Sequence, residues 1–163
     1  MIITGSAIAR LVATGDVAIT PFEVARLNPN SYNYRLGPEL IQIERDGRRN
    51  SFSLNEEGVM LDPSCLYLGS TFESIGSERL TTLLIGRSSV GRLGLFVQID
   101  ADLGQRGAIH KWTLELRCTR PLRIYPYMTI GQVSFWETKG DGPYPEQQYA
   151  RFNTPTPSLL EYQ

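Results

Sequence analysis

From Tyr32 onward the chain alternates short apolar runs with Gly, Pro, Asn and Asp, the spacing of a domain built from strands. The runs predicted as strands are Tyr32–Leu36, Leu40–Ile43, Cys65–Phe72, Leu80–Ile85, Trp112–Cys118, Leu122–Tyr125 and Ile130–Trp136. Asp46–Gly47, between Ile43 and Phe52, reads as a tight hairpin turn, because glycine accepts the positive φ such a turn needs. One helix precedes the strands. Ala7, Ile8, Leu11 and Val12 share a face, Ser6 offers a capping hydroxyl, and Gly15 stops the helix. After the strands, Lys139–Gln163 holds Gly140, Gly142, Pro143, Pro145, Pro155 and Pro157 without periodicity and reads as a mobile tail. The expected organisation is one β domain over residues 1–138 with a tail over 139–163.

Composition narrows the chemistry. At 163 residues the chain makes one domain and buries roughly 70% of its unfolded surface, so it needs no covalent staple. Sixteen Lys and Arg against 17 Asp and Glu leave a net charge of −1, which argues against a broad cationic surface for nucleic acid. No apolar run approaches the ~18 residues of a membrane span, and the N-terminus lacks the basic and apolar regions of a secretory signal. A cytoplasmic location is the expectation. With Cys65, Cys118 and His110 as the only Cys and His residues, and no CxxC pair, a structural or deaminase-type zinc site has no ligand set. The two cysteines read as inert core thiols.

The chemically loaded stretch runs from Ile85 to Glu115. Gly86-Arg87-Ser88-Ser89-Val90-Gly91-Arg92 comes directly after a strand, and its hydroxyls, arginine forks and turn amides suit phosphate. The same residues also describe a serine-capped helix start with solvated arginines. Strand alternation in Thr113-Leu114-Glu115-Leu116 puts Thr113 and Glu115 opposite Leu114 and Leu116. Glu115 therefore faces either solvent or a cleft, and in a cleft it is a candidate general base.

Taken together, these segments resemble the deoxycytidine triphosphate deaminase branch of the trimeric dUTPase superfamily. The family's R-S-S-x-x-R-L-G-L element stands here as Arg87 to Leu95, and its T-L-E-L strand as Thr113 to Leu116. P-x-M-x-I-G-Q is Pro126 to Gln132, P-T-P-S is Pro155 to Ser158, and Asn30 to Gly37 is similar to P-S-Y-D-L-R-L-G. The resemblance implies a mainly β fold, a distorted barrel or jelly-roll-like domain with a short N-terminal helix. It also implies a homotrimer with active sites between subunits and a C-terminal tail closing over the nucleotide. By the same analogy Glu115 activates water for attack on cytosine C4 without zinc, while Ser88 and Arg92 position that water and stabilise the tetrahedral intermediate. Arg87 and Ser89 hold phosphate oxygens bridged by Mg2+. Tyr144 matches a family tyrosine near the phosphates.

Departures from the pattern fall at the sugar and phosphate ends. Where the family reads H-x-T-A-x-x-x-D-x-G-[FW]-x-G, this chain has Gln98, Asp100, Ala101, Gln105, Gly107, Ala108 and His110. Gln105 replaces the aspartate that bonds the sugar 3′-hydroxyl, and Ala108 replaces the aromatic that packs on deoxyribose. His110, at a glycine position, is expected on the surface. In the tail, Gln148 replaces a phosphate-binding lysine and Phe152 a glutamine, with Arg151 a candidate to restore the charge. Loss of the ring at 108 predicts relaxed sugar discrimination, and loss of the lysine predicts a weaker preference for triphosphate.

Three functional readings are open. The first is zinc-independent deamination of a cytosine nucleotide, dCTP by default. The second is a dUTPase-type diphosphatase, and the third a non-catalytic nucleotide-binding relative. Of the remaining residues, Trp112 reads as core or subunit-interface packing, Phe135–Trp136 as buried, and Arg45, Arg48 and Arg49 as a solvated hairpin tip.

Overall fold

The computed structural model describes residues 1–97, 101–140, 149 and 151–160. Helix α1 (Gly5–Thr14) buries Ile8, and Gly15 closes it in the left-handed conformation at φ 82°. It starts earlier than Ser6 would set: the N-cap is Thr4, which makes no side-chain cap bond. The cause lies outside the helix, where Gly5 N bonds Pro29 O and the Gly5 Cα sits so close to Asn28 that a Cβ would overlap its carbonyl.

The strands run in the order β1 (Ala18–Thr20), β2 (Leu27–Asn28), β3 (Ser31–Arg35), β4 (Glu39–Ile43), β5 (Arg49–Ser53), β6 (Val59–Leu61), β7 (Leu66–Ser70), β8 (Ser74–Gly76) and β9 (Leu80–Gly86). After the short helix α2 (Ser88–Gly91) come β10 (Leu95–Val97), β11 (Leu103–Gly104), β12 (Ile109–His110), β13 (Thr113–Cys118), β14 (Leu122–Ile124) and β15 (Thr129–Glu137). All seven predicted strands are present, and Gly47 turns the β4–β5 hairpin at φ 84°. Most of the additional strands are two or three residues long, too short to show alternation.

Two five-stranded sheets carry the fold, ordered β10-β13-β7-β4-β5 and β11-β9-β15-β3-β2, with a three-stranded sheet β1-β8-β12 and the pair β14-β6 at their margins. Every pairing among these strands is antiparallel. The inner faces meet in one core that includes Tyr32, Tyr34, Leu84, Val133 and Phe135 from the second sheet and Leu40, Tyr67, Leu95, Leu114 and Leu116 from the first. This is the mainly β, short-helix architecture expected. Cys65 and Cys118 are free and buried, as core thiols. Phe135 is fully buried but its neighbour Trp136 is 39% exposed, since alternation turns it outward. Among the described residues no helix is long and apolar enough to cross a membrane.

Two buried polar groups fix the core from within. Tyr34, fully buried, donates its hydroxyl to Ile85 O (3.1 Å) at the end of β9, and a Cβ on Gly131 would overlap that hydroxyl. Glu73 is also fully buried. Its Oε2 accepts from Arg35 N (2.9 Å) and its Oε1 from Arg35 Nε (2.7 Å). Arg35 Nη1 pairs with Glu23 (2.6 Å), and its guanidinium lies 4.7 Å over the Phe72 ring.

Candidate active site

β13 runs between β10 and β7, so its outward face is fixed along its length by two ladders. Leu114 and Leu116 point into the core, and Thr113 and Glu115 stand half-buried on the other side. That side is not open solvent. It floors a cavity of about 780 Å³, which takes Leu66 and Leu68 from β7, Ile43 and Arg49 from the β4–β5 hairpin, and Ala101, Leu103, His110, Lys111 and Trp112 from the segment before β13. Tyr149, Phe152, Thr156, Pro157 and Ser158 complete its border. This tail segment is held by Lys111 N donating to Asn153 Oδ1 (3.1 Å) and Thr156 N donating to Thr113 Oγ1 (3.2 Å). A carboxylate thus stands in a mostly apolar, nucleotide-sized space, the setting in which a fixed base is effective.

The wall nearest Thr113 is aromatic. His110 is 5% exposed, not a surface residue, and its ring packs tilted against Trp112, the centroids 4.2 Å apart. Trp112 is tied down by its indole N–H to Ile75 O (2.9 Å) and by its backbone N–H to Thr71 Oγ1 (2.9 Å). His110 Nδ1 meets Lys111 O at 2.9 Å; a carbonyl only accepts, so Nδ1 carries the proton. Burial pushes the imidazole below its usual pKa. Tyr149 and Phe152 form a second ring pair, 6.3 Å apart.

The arginine-serine element lies elsewhere. Arg87 is the N-cap of α2, and Val90, Gly91 and Arg92 close the turn onto Arg87 O and Ser88 O. Ser88, Ser89 and Arg92 are exposed and Arg87 half-buried. Among the described residues none of the four spends a side-chain donor on a hydrogen bond or ion pair, and no hydroxyl caps the helix. None of them borders the Glu115 cavity. The ladder shows why: β10 leaves this element pairing Leu95 with Cys118, three residues beyond Glu115 and ~10 Å along β13.

Of the other candidates, Ala101 borders the cavity. Gln105 is exposed and outside it. Ala108 is 2% exposed, its carbonyl pressed on Gly76, so its small side chain opens no space in this cavity. Arg151 folds its guanidinium over the Phe152 ring at 5.2 Å and does not border the cavity. Asp100, Tyr144 and Gln148 lie outside the described residues. Residues that the motifs do not mark also reach the cavity: Leu66 and Leu68 on β7 and Arg49 on β5 through strand pairing, and Lys111 from the link between β12 and β13. For Leu66 and Leu68 the apolar positions of β7 are the one signal in the sequence.

The strands that build this cavity are shared with known proteins. Residues 2–138 match the family model described as dCTP deaminase-like. A dCTP deaminase of Rhodopirellula baltica is 42% identical over 153 residues, 89% of this chain and 77% of the relative. A dCTP deaminase, dUMP-forming, of Hathewaya histolytica is 40% identical over 168 aligned positions, 98% of this chain and 97% of the relative. The crystal structure of the 2′-deoxycytidine 5′-triphosphate deaminase of Agrobacterium tumefaciens shares the fold, with a TM-score of 0.67 at 21% identity over 82% of this chain. The match spans about half (47%) of that longer chain. Agreement with the curated relatives over nearly the whole chain, the Glu115 strand included, places the chain in the dCTP deaminase-like family.

Proposed function

We propose that the chain deaminates dCTP by hydrolysis, with Glu115 as the base. The observation that carries this reading is a half-buried carboxylate on a fixed strand, inside a cavity of nucleotide size, in a chain of this family. Glu115 takes a proton from the water as its oxygen bonds cytosine C4 and passes that proton to N3, leaving a tetrahedral C4 that carries OH and NH2. Glu115 then takes the C4–OH proton and delivers it to the amino nitrogen, the C4–N bond breaks, and the uracil carbonyl and ammonia form.

A second copy completes the site. Ser88 and Arg92, exposed and with unspent donors, steady the water and the tetrahedral intermediate, while Arg87 and Ser89 hold phosphates, all from a neighbouring subunit of a homotrimer. What supports this is the separation of these residues from the Glu115 cavity of their own chain. Among the described residues no three His, Cys, Asp or Glu side chains group to hold a metal ion. In this reading Mg2+ arrives on the substrate's phosphates and the deamination step uses no zinc. The tail then serves as the cover, since Phe152, Thr156, Pro157 and Ser158 already lie on the cavity.

The name of the Hathewaya histolytica relative favours one extension: loss of pyrophosphate as well, so that the product is dUMP instead of dUTP. Incubation with dCTP and Mg2+ distinguishes the cases. Ammonia with dUTP marks the simple deaminase, and ammonia with pyrophosphate and dUMP the extended one. Pyrophosphate from dUTP without ammonia from dCTP marks a diphosphatase, and tight binding without turnover a regulatory relative. Glu115→Gln is expected to lower kcat by at least ~100-fold with the fold intact, the lower range for a positioned acid–base group.

A further inference from the structure

We propose that His110 is a specificity-determining residue of the Glu115 cavity: its Nε2 accepts a hydrogen bond from a hydroxyl of the nucleotide's sugar, with the ring forming one wall and Phe152 another. This rests on the reading of Glu115 as the group at cytosine C4.

One nitrogen of the buried ring is unspent. Nδ1 is committed to Lys111 O, which leaves Nε2 as the bare nitrogen of the neutral ring. Among the described residues Nε2 has no hydrogen-bond partner, yet it is not sealed in: the one fully enclosed side-chain nitrogen or oxygen without a partner is Arg35 Nη2. His110 is 5% exposed and lines the cavity. Buried polar atoms are normally satisfied, so an unspent acceptor on a ring that lines a binding cavity points to a donor on the ligand. Burial keeps the ring uncharged and therefore able to accept.

A cytosine nucleotide offers few donors. Its amino group is at C4, beside Glu115; its phosphates only accept; the sugar hydroxyls remain. Position matches chemistry. Thr113 lies one two-residue step, ~7 Å, from Glu115 on the cavity face, and His110 stacks on the residue just before Thr113. That is the offset of a sugar from its base. For a 2′-deoxynucleotide the hydroxyl is the 3′ one. Gln105 and Ala108, the sequence candidates for the sugar, stand outside the cavity, and the rings of His110, Trp112 and Phe152 occupy its border instead.

The test compares dCTP with 2′,3′-dideoxycytidine triphosphate. In the wild-type chain, loss of the 3′-hydroxyl is expected to lower kcat/KM about tenfold, the scale of an acceptor left unsatisfied. In His110→Phe, which keeps a ring but no acceptor, the two nucleotides are expected to differ less than twofold, and His110→Gln is expected to restore part of the difference. The same dependence on the 3′-hydroxyl in wild type and a folded His110→Phe overturns the proposal. A second arm does not need that variant. His110 is the only histidine, so 15N-histidine labelling reports one imidazole. In the full chain carrying Glu115→Gln, so that dCTP persists, the Nε2 resonance is expected to move with dCTP and not with the dideoxy nucleotide. Equal movement with both, or none with either at saturating concentration, overturns it. Wild type releasing no ammonia from dCTP would sink the parent reading, whereas ammonia release with an unmoved Nε2 sinks only this one.

Discussion

Replacing Glu73 by Gln tests whether a fully buried charge holds the fold. Glu73 is fully enclosed, and both of its oxygens are spent on Arg35, one on the backbone N–H and one on Nε. Arg35 itself is 12% exposed. Removing one partner of a buried ion pair costs about 3–5 kcal/mol, because the surviving charge stays desolvated. Here Arg35 keeps Glu23 and the Phe72 face, and glutamine retains one acceptor oxygen, which favours the lower end, about 3 kcal/mol. For a chain of this length, about 2–4 °C per kcal/mol makes this a fall in Tm of about 6–12 °C. Urea unfolding at fixed protein concentration, with the slope m unchanged, checks it. Glu23→Gln, on the exposed side of the same arginine, is the control and is expected to move the midpoint far less. A Glu73→Gln midpoint within about 1 kcal/mol of wild type, or two equal shifts, would show that the pair is not what holds Arg35.

Gly131→Ala is expected to destabilise by about 3 kcal/mol or more, since the new methyl overlaps a tyrosine with no room to move; calorimetry within about 1 kcal/mol of wild type would refute this. His110 makes stability fall on acidification. Its folded pKa lies below the unfolded ~6.5, so the unfolded chain binds the extra proton and stability present above that pH is lost below it, and His110→Gln is expected to flatten the slope below about pH 6.5. On the proposed reading Gln148 takes the place of a phosphate-binding lysine while Arg151 lies over Phe152 outside the cavity, so one charge-assisted contact of ~1.5–3 kcal/mol to the phosphates is expected to be lost. Deamination of dCMP is expected within ~100-fold of dCTP in kcat/KM, on the same loss, and a preference above about a thousandfold would refute it.

Long strands are legible in the sequence because their patterns are local. Alternation in Thr113–Cys118 fixes which way Glu115 points, and the Asp46–Gly47 turn comes from glycine's freedom at positive φ. What the pattern does not carry depends on distant residues. Glu73 is intelligible only with Arg35, 38 residues earlier, and nothing beside it in sequence distinguishes it from a solvated acid. His110 reads as a surface residue because it comes after a turn, but it is 5% exposed, on β12 paired to β8 and with its ring packed against Trp112. The start of α1 falls at Thr4 because of a contact with Asn28, which no capping rule contains. Likewise the sequence does not reveal that Ala108 is buried against Gly76 and outside the Glu115 cavity of its own chain, a packing set by β8.

The order of β15 in the chain has a consequence for synthesis. It is the last of these strands to be made, yet it sits in the middle of its sheet, between β9 and β3. Ser31 on β3 waits 101 residues for Gln132, the partner that its hydroxyl meets across the ladder. At ~5–20 residues per second, that is roughly 5–20 s during which β3 presents a bare edge on a nascent chain, joined by β9 for the second half of the wait. Closure of the sheet therefore waits for β15, and the non-local pairing makes it slow. For this chain the interval most exposed to mispairing is the one between synthesis of β3 and synthesis of β15, and chaperone demand in the cell should concentrate there.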